Sequence, residues 1–352
     1  MAVWTESMAQ SYEYYVVDPA TWKDVKKLEN VKTCTISRDS EVETLGSATI
    51  DVTDSLDECY IRVYLITVQN GIREKHPLGT FLVQTPSMNF NGKYSSNSLD
   101  CYTPLLELKE NPPPLGYSLL KGDNVMDRAY QLTRENCRAP VIKTTSDLTL
   151  QNDFVAYSED KWLSYISDLI SNDKRRYDLD PLGRILFAPK QDLASMQEVW
   201  TYNTDNTSIL YPDISMDKDV YGIPNVVEVL YSGSGLYYYE RVVNDDPNSP
   251  VSTVNRGREI IHRVTNPELN GIPTNHQFKE YAEQLLRELS TIVCTVKYTH
   301  GYCPVRVFDC VKLNYPEAGL NDVKAMVVSQ SIKCEKGCPV SEKAVLTKNL
   351  WR

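Results

Sequence analysis

The chain has 352 residues, 41% of them hydrophobic and 24% charged, and a formal net charge of −10. This length indicates two or three domains. The sequence contains no apolar run of about 18 residues and no basic segment followed by an apolar one near its start, so it predicts neither a membrane-inserted helix nor a secretory signal. Its acidic balance is spread along the whole chain, which argues against a protein that grips nucleic acid through a basic face.

The cysteines are odd in number and mostly scattered, which is typical of a reducing compartment and not of a disulfide framework. We therefore expect free thiols. The nine residues are Cys34, Cys59, Cys101, Cys137, Cys294, Cys303, Cys310, Cys334 and Cys338.

The first part of the chain predicts an N-terminal arm followed by a β domain. Residues 1–20 are aromatic and polar without a clear period, and we interpret them as an arm that lies on another surface. Residues 21–105 alternate between apolar and polar side chains in short runs, as a sandwich or barrel does. The dipeptides Asn70-Gly71 and Asn91-Gly92 predict hairpin turns. The strands are predicted at 31–38, 47–52, 58–69, 78–84, 88–90 and 94–102.

Residues 106–195 predict a small α/β module. A stiff Asn-Pro-Pro-Pro segment at 111–114 follows a short helix, and Asp123 is placed to cap a second helix. Ser158 is placed to cap a third helix, and Asp180-Pro181-Leu182-Gly183 has the residue order of a type I turn between two strands. The apolar face predicted for the third helix consists of Trp162, Leu163, Tyr165, Ile166, Leu169 and Ile170.

Residues 196–352 predict a second β body with one packed helix. Ser232-Gly233-Ser234-Gly235 predicts a turn between strands at 225–231 and 236–243. Thr274 and Gln277 form a capping box for a helix through residue 289. Further strands are predicted at 199–211, 257–264, 291–300, 305–313, 325–333 and 343–347. The predicted fold class is thus β-rich α+β, with two β domains flanking a small α/β module.

Four groups of residues are weighed as sites of chemistry. Cys334 and Cys338, with Cys303 and Cys310 nearby in sequence, have one spacing that zinc accepts but no second pair, so a hairpin turn with incidental thiols is favoured. The four histidines lie outside any metal-binding or catalytic motif and are interpreted as structural. They are His76, His262, His276 and His300.

Carboxylates crowd residues 153–180, where a hydrolase would need two of them facing each other across a cleft. Helix starts and turns give these residues structural reasons to be there, so capping and surface roles are favoured. The set is Asp153, Glu159, Asp160, Asp168, Asp178 and Asp180. The run Tyr237–Tyr239 suits stacking on sugars or bases, but core packing on one face and an interface on the other is the commoner arrangement. No catalytic, cofactor or metal residue is therefore assigned.

Several segments together resemble the baseplate hub proteins of tailed phages and phage-like contractile particles. The resemblance extends over nearly the whole chain. The segments are W-L-S-Y-I-S-D-L-I (162–170), Y-D-L-D-P-L-G-R-I-L-F (177–187), E-T-L-G-S-A-T-I-D-V (43–52), G-T-F-L-V (79–83), P-N-V-V-E-V-L-Y (224–231), D-D-P-N-S-P (245–250) and G-R-E-I-I (257–261).

The resemblance implies a homotrimeric structural protein and no enzyme. Each subunit would supply two tail-tube-like β-barrels, at 21–105 and 196–352, so that the trimer adapts a six-fold tube to a three-fold spike. The implied partners are the tail tube or distal tail protein, the central spike and the tape-measure protein, with DNA only in passage. The implied place is the tail baseplate, assembled in the host cytoplasm, with a part in DNA ejection and host cell puncture. Two other classes stay open: a tail-associated cell-wall hydrolase or peptidase, and a carbohydrate-binding module.

Overall fold

The computed structural model describes residues 2–53, 56–90, 92, 95–233, 236–265, 267 and 274–351. These residues form two compact units. Unit 1 consists of Met1–Ile214 and Tyr298–Lys343, and unit 2 consists of Ser215–Lys297 and Ala344–Arg352. No helix in the described part of the chain is both long enough and apolar enough to cross a membrane.

The elements follow in chain order. The strands up to residue 155 are β1 Ala9–Asp18, β2 Lys23–Leu28, β3 Val31–Asp39, β4 Gly46–Val52, β5 Tyr60–Gln69, β6 Ile72–Phe90, β7 Ser95–Tyr102, β8 Ser118–Leu119 and β9 Phe154–Val155. The later strands are β10 Arg175–Leu179, β11 Ile185–Pro189, β12 Glu198–Tyr202, β13 Leu210–Lys218, β14 Val226–Gly233, β15 Leu236–Val243, β16 Ile261–Thr265, β17 Thr291–Gly301, β18 Cys310–Tyr315, β19 Leu320–Lys333 and β20 Pro339–Asn349. The α-helices are α1 Leu106–Glu110, α2 Val125–Asn136, α3 Trp162–Ser171, α4 Thr253–Arg256 and α5 Asn275–Leu289, and 3-10 turns lie at Leu193–Ser195 and Pro316–Ala318.

Unit 1 is organised by one large sheet, with strand order β19-β3-β4-β7-β6-β5-β1-β2. Every pair in this series is antiparallel, and β18 joins β19 while β12 runs parallel to β18. The central strand β5 is buried from Tyr60 to Thr67 on both of its faces. Its alternate residues therefore feed two cores, one with Ile61 and Val63 and the other with Tyr60.

The predicted hairpin at Asn70-Gly71 is confirmed. Gln69 pairs with Ile72, so the two turn residues alone connect β5 to β6. Both have positive φ, 51° and 76°, as a type I′ turn requires. Two further predicted turns, Asn91-Gly92 and Ser232–Gly235, include Asn91, Ser234 and Gly235, which lie outside the described residues.

The structure corrects the prediction of an N-terminal arm. Residues 9–18 form β1, which pairs with both β5 and β2 inside the sheet of unit 1. Tyr14 and Val17 are buried on it. The backbone of β5 would otherwise end the sheet with unpaired N–H and C=O groups, and β1 satisfies them.

The helical module packs on this sheet within unit 1. Its core joins α1, α2 and α3 to Val17, Trp22, Tyr60 and Leu82 of the sheet. All six residues predicted for the apolar face of the third helix are buried.

The two predicted caps of this module were misplaced. Helix α3 begins at Trp162 and not after Ser158, because the Asp160 carboxylate accepts the Tyr157 N–H at 2.7 Å and closes a turn before the helix. Helix α2 is capped by Asn124, whose side chain accepts the Asp127 N–H at 2.9 Å, and not by Asp123.

Unit 2 contains a three-stranded sheet, β15-β14-β16, with α5 packed on one face. The predicted capping box of α5 is confirmed, since Thr274 and Gln277 hydrogen-bond each other's backbone. The chain is thus β-rich α+β, as predicted. The domain boundaries at 105 and 195, and the closure of the β bodies into barrels, remain predictions.

Candidate functional site

The predicted carboxylates are placed in turns, in helix ends and beside arginines. Asp153 accepts the Lys121 N–H at 2.8 Å, and Asp160 holds the turn before α3. Asp180 accepts the backbone N–H groups of Leu182 and Arg184 inside its own turn. Asp178 lies 3.6 Å from the Arg306 guanidinium, Glu159 precedes α3 and Asp168 lies within α3. These contacts match the capping and turn roles that the sequence favoured.

The cysteines are free thiols. Cys334 and Cys338 flank a hairpin turn in which the Cys338 N–H donates to the Glu335 carbonyl at 2.9 Å. Cys303 lies elsewhere, against Tyr202 at 3.3 Å. Among the described residues, no three His, Cys, Asp or Glu side chains form a group that could hold a metal ion.

The tyrosine run Tyr237–Tyr239 divides between the two faces of the unit 2 sheet. Tyr238 stacks on Phe278 of α5, with ring centroids 5.3 Å apart. Tyr237 and Tyr239 point to the other face and are 69% and 52% exposed. The core packing on one face matches the arrangement that the sequence favoured, and an interface on the other face stays a prediction.

The histidines occupy unlike surroundings. His276 is exposed and lies 3.2 Å from Glu280 on α5, and His76 contacts the Thr67 hydroxyl at 3.0 Å. His300 is completely buried in unit 1. It forms the centre of a buried polar cluster in unit 1, which the sequence did not reveal.

The buried cluster around His300 draws side chains from four strands. His300 lies on β17, Glu342 on β20, Tyr202 on β12 and Gln330 on β19, and each is at most 3% exposed. The His300 Nε2 atom lies 3.3 Å from the Glu342 carboxylate and 3.0 Å from the Tyr202 hydroxyl, which also donates to Glu342 at 3.2 Å. Gln330 donates from its amide to the same carboxylate. The cluster therefore ties four strands together through one carboxylate.

His300 carries a charge in this cluster. Its Nδ1 atom lies 2.7 Å from the Gly301 carbonyl, so both ring nitrogens face acceptors and both hold protons. Burial alone lowers the pKa of His300, but its hydrogen bonds with Cys303 and Glu342 and the Glu342 charge raise that pKa to about 10. Burial likewise acts to raise the pKa of Glu342, yet the hydrogen bond and charge of His300 hold it below its ordinary value. The result is a buried ion pair closed to solvent, which suits fixing strand register more than turning over a substrate.

A second polar cluster fixes the turn between β10 and β11 onto the sheet of unit 1. The Leu182 carbonyl accepts from Trp22 Nε1 at 2.9 Å, from the Thr80 hydroxyl at 2.8 Å and from the Arg62 guanidinium at 3.3 Å. Arg62 is 4% exposed and also binds Asp24 at 2.8 Å. One backbone oxygen of the turn thus receives three donors from the sheet.

Gly183 makes this approach possible. Its φ of 75° favours glycine, and a Cβ placed there would lie 2.7 Å from the Thr80 Cβ. The predicted turn itself is confirmed, because the Gly183 N–H donates to the Asp180 carbonyl at 2.9 Å. The module is therefore a docked part of unit 1.

Among the comparisons with known proteins, only the comparison of structures finds a match. No protein-family model matches the chain, and no curated protein matches it. A tail protein from Neisseria meningitidis superposes with a TM-score of 0.59 at 13% identity, covering 97% of this chain and 98% of that one. The 43 kDa tail protein of prophage MuSo2 from Shewanella oneidensis gives 0.59 at 11%, with 96% and 98% covered.

A chain of the half-lidded PdpA–VgrG complex of Francisella is also similar, with a TM-score of 0.56 at 8% identity. The likeness covers 97% of this chain and 58% of that one. The resemblance to tail proteins that the sequence motifs indicated is thereby confirmed for the fold, and this chain has the fold of these two tail proteins.

Proposed function

We propose that this chain is the baseplate hub of a phage or phage-like tail, acting by assembly and not by catalysis. The observation that carries the proposal is the full-length likeness to two tail proteins, one of them from a prophage, in which nearly all of each chain is covered. A likeness confined to one domain would leave the rest of the chain free for another activity, whereas here both units are included.

In this proposal the hub is a homotrimer. Each subunit contributes two tail-tube-like barrels, so three subunits present a ring of six similar barrels to a six-fold tube. The three-fold symmetry of the same trimer matches that of the spike. The tail tube or distal tail protein would bind one side, the spike the other, and the tape-measure protein and then DNA would pass through the channel. Assembly would take place in the host cytoplasm, with free thiols, and the product would act in DNA ejection and host cell puncture.

Two features of unit 1 support a mechanical role. The His300–Glu342 pair joins four strands in a dry core, and the Leu182 carbonyl is held by three donors. Both restrict sliding of strands, because any slip would leave buried polar groups unpaired. The net charge of −10 suits a channel that DNA must pass without sticking, since like charges repel.

The enzyme alternative rests on the carboxylates at 153–180. Their described contacts are with backbone N–H groups and with an arginine. The triple variant Asp160→Asn, Asp178→Asn, Asp180→Asn separates the two classes in a cell-wall degradation assay. We expect neither the wild type nor the variant to release wall fragments. Release by the wild type that the folded variant has lost would make the chain a hydrolase.

The carbohydrate-binding alternative rests on exposed Tyr237 and Tyr239. Binding of wall oligosaccharides by a monomer, lost in Tyr237→Ala, Tyr239→Ala, would favour it over the hub.

The hub proposal is tested by electron microscopy of the purified chain, alone and mixed with its tail tube protein. The expected particle is a three-fold ring around an open channel. A compact monomer under both conditions would overturn the proposal. Because assembly can need partners, the mixed sample is the decisive one.

A further inference from the structure

We infer that Cys34 and Cys334 form an oxidation site, at which a low-molecular-weight disulfide converts the two thiols into a cross-strand disulfide that closes the seam between β3 and β19. The two residues are 300 positions apart in sequence and adjacent in unit 1. The inference concerns a covalent modification that the hub function does not itself require.

The register of the sheet brings the two cysteines opposite each other. Thr35 of β3 pairs with Lys333 of β19, so the next positions outward are Cys34 and Cys334. The Cys334 N–H donates to the Cys34 carbonyl at 2.9 Å. Opposed residues at a hydrogen-bonded position of an antiparallel pair have Cα atoms about 5.5 Å apart, which lies within the range that disulfides span.

The side chains share one hydrophobic cluster in addition to the backbone contact. Cys34 and Tyr14 are buried in this cluster, and Cys334 packs against it. Cys338 is the third thiol of the cluster, but it comes after the hairpin turn, in which its N–H donates to the Glu335 carbonyl. Cys34 is thus the partner that the geometry selects for Cys334.

Access differs between the two thiols and sets the order of reaction. Cys34 is buried, whereas Cys334 is half-buried and lines an open pocket with Trp4 and Tyr12. The neighbouring Cys34 thiol, together with burial, raises the pKa of Cys334 well above its ordinary value. Since the thiolate is the nucleophile, the reaction is slow at neutral pH and accelerates as pH rises.

The chemistry balances with glutathione disulfide as the oxidant. The Cys334 thiolate attacks one sulfur of glutathione disulfide and displaces a glutathione thiolate. The Cys34 sulfur, losing its proton, then attacks the Cys334 sulfur of the mixed disulfide and displaces the second glutathione. Two protein thiols are oxidised, one glutathione disulfide is reduced to two glutathione molecules, and the two protein protons pass to the leaving thiolates.

This inference rests on the proposed function only for the time at which the oxidation would occur. A hub assembled among reduced thiols would meet oxidising surroundings after the particle leaves the cell. The bond would then join the N-terminal strands to the C-terminal strands of unit 1 covalently, at the pair β3–β19 through which the sheet connects them.

The test uses the full-length chain, reduced and then incubated with glutathione disulfide at mildly alkaline pH. Free thiols are blocked with an alkylating agent, and the linked peptides are identified by mass spectrometry after digestion. We expect a peptide containing Cys34 joined to one containing Cys334, and a thermal unfolding midpoint higher by about 5 °C than that of the reduced protein.

Three variants complete the test. Cys34→Ser and Cys334→Ser should lose both the link and the rise in midpoint, while Cys338→Ser, the matched control from the same hairpin, should keep both. A Cys334–Cys338 link, or a glutathione adduct that stays on Cys334, would overturn the inference. The outcome is separable from the hub proposal, because a linked chain that forms no rings would refute only the hub, and rings of unlinked chains only the disulfide.

Discussion

Two ionic clusters, one in each unit, are both centred on a glutamate but differ in burial. In unit 1, Glu342 binds His300 with tyrosine and glutamine in a dry core. In unit 2, Glu228 lies between Arg263 at 2.7 Å and Arg241 at 3.4 Å on the sheet face turned away from α5, where these arginine side chains are 71% and 35% exposed.

The difference shows that the number of charged contacts does not determine how much they contribute to the free energy of unfolding. A buried charge that loses its partner has no water to replace it, so breaking the pair is costly. An exposed pair exchanges each contact for water and is screened by salt. We therefore expect a single change to weaken the polar contacts between the strands of unit 1, and a matched change in the surface cluster of unit 2 to cost little.

The largest expected effect is that of Glu342→Gln. The change leaves His300, Tyr202 and Gln330 facing a neutral amide in a site closed to water. We expect the free energy of unfolding to fall by about 3–5 kcal/mol, measured by urea unfolding of the intact chain. The matched change Glu228→Gln, at a glutamate whose two basic partners lie at the surface, should leave the unfolding curve nearly unchanged. Equal losses in the two variants would contradict the comparison.

The His300–Glu342 pair should also determine how the stability of the chain depends on pH. The folded pKa of His300 is raised from 6.5 to about 10, so its contribution is full below the unfolded value and is lost as pH rises toward 10. The lowered pKa of Glu342 makes its contribution full above about 4.5 and lost in acid.

Between pH 6.5 and 8.5, below the titration of the thiols, the wild type should therefore lose up to about 1.4 kcal/mol of stability per pH unit. The variant His300→Gln should show a flatter profile over this interval. A wild-type profile as flat as that of the variant would mean that His300 is neutral in the folded chain.

The next effect concerns the docked turn of unit 1. Gly183→Ala and Gly116→Ala place a methyl group at the same φ of 75°, but only the Gly183 methyl meets a neighbour, Thr80, at 2.7 Å. Both variants share the cost of the left-handed backbone, so their difference isolates the contact. Gly183→Ala should be less stable than Gly116→Ala by about 1–3 kcal/mol in urea unfolding. Equal stabilities would show that the turn moves away without loss.

The smallest effect belongs to the surface cluster of unit 2. Arg263→Gln removes one of two basic partners of Glu228 from an exposed face. The thermal midpoint should fall slightly in low salt, and the difference from wild type should disappear in high salt because the lost attraction is screened. A loss that persists in high salt would indicate that the pair is effectively buried, for example by association of chains.

Local signals in the sequence predicted local structure well. Asn70-Gly71 specifies its hairpin because both residues tolerate positive φ, and Thr274 with Gln277 specifies the start of α5. The apolar face of α3 was predicted completely, since helical spacing alone determines it. The cap at Asp123 missed by one position because Asp and Asn both suit an N-cap, and only the chain path selects Asn124.

Contacts between distant residues could not be predicted in this way. His300 has no motif around it, and its partners Tyr202 and Glu342 lie 98 and 42 positions away. The docking of the turn depends on a backbone carbonyl, which every residue possesses, so nothing in the identity of Leu182 marks it. Burial of such groups follows from sheet topology, and a single sequence does not state the topology.

Cryo-electron microscopy of the intact tail particle, with this chain located in the map, tests the hub assignment most directly. The assignment predicts three copies around the axis at the distal end of the tail, between the last ring of the tube and the spike, with a channel through their centre. Absence of the chain from the particle, or its repetition in six-fold rings along the length of the tail, would contradict it.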